Sequence, residues 1–103
     1  MNNKETNMED LKSYASNRVS CNKHQIFNVQ ELFNRYLSQI EENITKIKEK
    51  KEKKEYRFER CKDIYELASR LRILCELDLQ YATELGAAEH ILRDLEALKN
   101  DTE

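Results

Sequence analysis

Five residues have the chemistry of metal ligands or nucleophiles: Cys21, Cys61, Cys75, His24 and His90. Cys21 and His24 stand three residues apart, a spacing that suits two ligands of one zinc ion. A structural zinc site takes four ligands, usually as two close pairs, and the other three candidates stand alone in the chain. There is no CxxC and no HxxxH. Cys61 and Cys75 are 14 residues apart, about 21 Å along a straight helix, so they cannot bond each other within it. They read as small side chains on a helix face, able to meet a second thiol only across a dimer.

Catalysis finds as little support. A cysteine nucleophile needs a neighbouring base and an oxyanion site. The single glycine, Gly86, rules out a Gly-rich phosphate loop. The carboxylates Glu41 and Glu42 fall on a face expected to be solvated. The expectation is a non-enzymatic protein with no catalytic residues, no metal, no cofactor and no small-molecule substrate.

The basic run 45–60 holds 8 basic and 4 acidic residues. Lys50, Lys51, Lys53, Lys54 and Arg57 are the candidate phosphate contacts, with Tyr56 and Phe58 available to stack on bases. The interleaved glutamates and the spread of lysines around the helix favour an ion-paired, solvated surface instead. Residues 83–103 carry 2 basic and 6 acidic residues, which repel anionic lipid. Nucleic acid and membranes are therefore not the expected partners. A helical nucleic-acid-binding or regulatory dimer using 46–60 is the alternative function.

These residues must be positioned by helices. The chain has 103 residues, no proline and one glycine, where average usage predicts about 5 and about 7. Hairpins, sandwiches and barrels need such residues as punctuation. Charged residues make up 37% against a usual ~25%. No apolar run nears the ~20 residues of a membrane span. Three cysteines make an odd number, which is no secreted disulfide framework. The expected location is intracellular, cytoplasmic or nuclear, with reduced thiols.

Residues 1–25 are polar and read as a largely flexible arm. A single helical domain is expected over 26–100, with a polar tail at 101–103. Asn28, followed by Glu31, has capping-box spacing, and Phe27 and Leu32 have staple spacing, so the first helix is expected over about 28–50. Its face is Phe33, Leu37, Ile40, Ile44 and Ile47, stepping 4, 3, 4, 3. Residues 48–55 contain no apolar side chain and fit either a turn or continuous helix.

A second helix is expected over about 56–99. Ile64, Leu67, Leu71, Leu74, Asp78, Tyr81, Leu85, Ala88, Leu92 and Leu95 repeat at alternating steps of 3 and 4 for more than four heptads. This is the candidate partner-binding stripe. Asp78 is its one charged member, a position that often sets register. A flanking stripe, Phe58, Cys61, Tyr65, Ala68, Cys75, Leu79 and Ala82, widens the apolar face beyond what a two-stranded zipper needs. Gly86 is either tolerated within the helix, at a close approach of another helix, or marks a break.

The fold class is thus all-α: long amphipathic helices forming a helical hairpin or coiled-coil bundle, expected to be oligomeric. The function that fits is a structural or interaction protein. It would be a small coiled-coil subunit, joining itself or other helical subunits of a larger complex through its apolar stripes. In general character the chain is similar to small coiled-coil subunits of larger assemblies, with no motif that assigns a family.

Overall fold

A computed structural model of the chain describes residues 3–102. Helix α1 spans Asn3–Glu49 and α2 spans Lys54–Thr102, and the two form a hairpin. The described residues contain no strand.

The reversal occupies 50–53, which resolves the ambiguity of the charged run 48–55 in favour of a turn. No glycine is used. Lys50 itself takes the left-handed conformation, with φ of 55°, and its N–H donates to the Ile47 carbonyl at 3.2 Å. That bond closes the last turn of α1 in 3₁₀ fashion. Lys46 and Lys48 in that turn oppose the negative end of the helix dipole. The Arg57 N–H donates to the Lys53 carbonyl at 3.1 Å and starts the α2 ladder. The turn forms here because a continuous helix would leave both apolar stripes in water, whereas folding back removes them from it.

Burial follows a heptad on each helix. On α1, Ala15, Val19, Asn22, Ile26, Val29, Phe33, Tyr36, Ile40, Asn43 and Ile47 are all buried or half-buried, at alternating steps of 4 and 3. On α2, every one of the ten stripe positions from Ile64 to Leu95 is buried or half-buried. The deepest apolar positions are Ala15 and Val29 on α1, and Leu67, Leu74 and Ala88 on α2.

The chain divides into two compact units. The first joins Met1–Phe27 to Leu79–Glu103. Within it the α1 residues Ala15, Val19, Asn22 and Ile26 and the α2 residues Tyr81, Leu85, Ala88, Leu92 and Leu95 supply the inner faces. The Arg18 guanidinium donates to Glu84 Oε1, its Nε at 2.7 Å, and ties the two segments together. The second unit is Asn28–Asp78 and contains the turn. Its inner faces are Val29, Phe33, Tyr36, Ile40, Asn43 and Ile47 on α1, and Ile64, Leu67, Leu71, Leu74 and Asp78 on α2. The Arg70 guanidinium stacks over the Tyr36 ring, 5.6 Å from its centroid.

Three expectations are corrected. The first helix begins at Asn3, not near Asn28, so residues 3–25 are helical; Met1 and Asn2 lie outside the described residues. Asn28 caps nothing, and Phe27 is an exposed mid-helix residue rather than a staple. The physical reason is that residues 79–95 carry an apolar face that needs cover, and 15–26 supply it with the modest side chains Ala15, Val19 and Asn22 and the larger Ile26. Second, the seam of α1 passes through Tyr36 and Asn43 rather than Leu37 and Ile44, which are 38% exposed. Third, α2 runs unbroken through Gly86 and ends at Thr102, short of only Glu103 of the expected 101–103 tail, which lies outside the described residues. Beyond its own stretch of helix, no atom of the described residues lies within 4 Å of where a Cβ on Gly86 would sit, so no other helix among them approaches closely there.

Candidate interaction surface

The chemistry-bearing residues are scattered. Cys21, Cys61 and Cys75 are free, exposed thiols. His24 is exposed on the same helix as Cys21. His90 lies on the outer face of α2, its Nε2 3.4 Å from Asp94 Oδ2 one turn on. Among the described residues no three His, Cys, Asp or Glu side chains gather as metal ligands.

The lysines of the basic run gather at the turn. Lys50, Lys51, Lys53 and Lys54 are all exposed, and Arg57 is half-buried with its Nε lacking a hydrogen-bond partner. Glu52 points back from the turn. Its carboxylate accepts from Arg60 Nε and Nη2, both at 2.6 Å, while Arg60 Nη1 donates to Asn43 Oδ1 at 2.9 Å. One guanidinium therefore links α1, the turn and α2. This clasp was not legible in the sequence, because a Glu and an Arg eight apart are not neighbours on a helix.

Asp78 is half-buried and opens, with Val29, Gln30, Phe33, Asn34, Leu74 and Cys75, onto a shallow groove of the second unit. Neither Arg70 nor Arg72 neutralises it. Arg70 stacks on Tyr36, and Arg72 Nε lies 3.6 Å from Glu76 Oε1.

The ten-residue stripe Ile64–Leu95 is the inward face of α2, and what remains open is its neighbour. In the second unit the flanking stripe is exposed throughout: Phe58 at 71%, Tyr65 at 75%, with Cys61, Ala68 and Cys75 also open. Arg72 continues the spacing, and the same sequence rhythm resumes with Leu79 and Ala82 in the first unit. The heptad sets this face about 100° around α2 from the packed one.

Leu37 and Ile44 of α1 share that side of the second unit. They repeat Gln30 at intervals of seven, as Ala68 and Cys61 repeat Cys75, and Gln30 and Cys75 line one groove. The opposite groove carries a different set: Gln39, Glu42, Asn43, Asp63, Glu66, Leu67 and Arg70. The first side of the second unit therefore carries the larger exposed apolar residues, and the groove on the other side carries more charge.

No helix among the described residues is long and apolar enough to cross a membrane. The chain matches no protein-family model, no curated protein and no solved structure in searches of each.

Proposed function

We propose that the chain is a non-enzymatic interaction subunit that assembles with another helical surface through the exposed apolar face of its second unit. The observation that carries this reading is the exposure of Phe58 and Tyr65, 71% and 75% open, on a helix whose other face is already packed. Large apolar side chains aligned at heptad spacing and left in water mark a contact surface. The half-buried state of Ile64, Leu71, Tyr81, Leu85, Leu92 and Leu95 on the packed stripe supports the same reading. A two-helix hairpin encloses only part of its own seam, so a further helical layer would complete the core.

A photo-crosslinking amino acid in place of Tyr65, in the full chain inside cells, tests this. Discrete protein adducts at Tyr65, absent when the probe replaces Glu66 one residue away, are expected. Equal adduct patterns at both positions would remove the proposal.

A further inference from the structure

We infer that the occupant of this face is a second copy of the chain, docked antiparallel so that the two hairpins form a four-helix bundle. This rests on the interaction reading above and names its partner. Three observations carry it.

The first is area. The chain exposes 8255 Å², against roughly 6,100 Å² expected for a folded monomer of 12.3 kDa. That surplus of roughly 2,200 Å² is spread over the whole chain and is larger than the ~800 Å² per partner of a standard interface, so the surface for one is present.

The second is self-complementarity of size. Along the exposed stripe large and small side chains alternate: Phe58, Cys61, Tyr65, Ala68, Arg72, Cys75. In the register whose two-fold passes between Tyr65 and Ala68, an antiparallel second copy sets each large residue against a small one, with Phe58 facing Cys75, Tyr65 facing Ala68, and Arg72 facing Cys61 of the other chain. This is knob against hole. A parallel copy would set Tyr65 on Tyr65 and Arg72 on Arg72, crowding the first layer and opposing like charges in the second.

The third is placement. Leu37 and Ile44 lie on the same side of the second unit as this stripe, so both helices of one hairpin would contribute to the new core. A two-stranded contact through α2 alone would leave them in water.

The absolute mass of the purified full chain, measured by light scattering across a concentration series, tests the inference. Twice the chain mass is expected at micromolar concentration. Tyr65→Glu should raise the dissociation constant about a hundredfold with helicity unchanged, because it places a charge at the centre of the interface. Ile73→Glu, which adds the same charge to an exposed apolar residue on a different face of α2, should leave the dimer intact. Arg72→Cys under mild oxidation should give a disulfide to Cys61 of the second copy. A monomer at all concentrations overturns the inference, as does equal weakening by Tyr65→Glu and Ile73→Glu, or a disulfide joining residue 72 to residue 72. A monomer whose Tyr65 still gives adducts to a different protein in cells would overturn the second copy while sparing the interaction reading. Loss of the adducts would remove both.

Discussion

Arg60 clasps Glu52 with two hydrogen bonds of 2.6 Å, and the pair closes the turn that makes the hairpin. The Arg60 hydrogen bonds hold the Glu52 carboxyl below its ordinary value, with partial burial opposing and the Arg60 and Lys46 charges assisting. A depressed carboxylate contributes stability that is full above the unfolded value and is lost as pH falls through the lower, folded one. The difference in thermal midpoint between the wild type and Glu52→Gln should therefore be widest near neutrality. It should shrink as pH falls below the ordinary carboxylate value of about 4.3. A difference that stays constant to pH 2 would show that the clasp does not depend on the charge of Glu52.

Asn22 is 1% exposed, sits on the seam of α1 and satisfies only half of its amide. Its Nδ2 donates to the Arg18 carbonyl at 2.8 Å, and its Oδ1 has no partner. Asn22→Leu replaces an unsatisfied polar group with an apolar one of the same branched shape. We expect a gain of about 1 kcal/mol in urea unfolding. A loss of stability would mean that the amide has a partner in solution.

Two backbone positions carry a correctable cost, one in chain entropy and one in conformation. Gly86 lies inside α2 with open space where a Cβ would point, so Gly86→Ala should stabilise by about 1 kcal/mol. Lys50 holds a positive φ that a lysine adopts only at a cost, so Lys50→Gly should stabilise by about 1 kcal/mol. Both changes are read as higher unfolding midpoints. A lower midpoint for Gly86→Ala would mean that another helix does approach this face.

Leu67 is buried while Tyr65, two residues away, is open to solvent. Leu67→Ala should therefore cost about 2–4 kcal/mol of hairpin stability. Tyr65→Ala in a monomeric background should change it by no more than about 0.5 kcal/mol. Paired denaturant titrations separate the two, and comparable losses would contradict the heptad assignment of α2.

The sequence by itself determined the helical class and the inner face of α2. Proline is absent and apolar residues recur at 3 and 4 from Ile64 to Leu95, so both follow from local propensity and periodicity. It did not show that residues 3–25 belong to α1. Ala15 and Asn22 carry little hydrophobic signal, and they lie on the seam because the α2 segment in their own unit presents an apolar face that they cover. The seam through Tyr36 and Asn43, in place of the more apolar Leu37 and Ile44, was likewise a tertiary outcome. Steps of 3 and 4 admit two neighbouring stripes on one helix, and only the position of the partner helix selects between them. The clasp of Glu52 by Arg60 exists only after the chain reverses, because the two residues become neighbours through the turn and not through the helix. The face left open at Phe58 and Tyr65 was decided in the same way, since a helix with two apolar stripes packs one of them and presents the other.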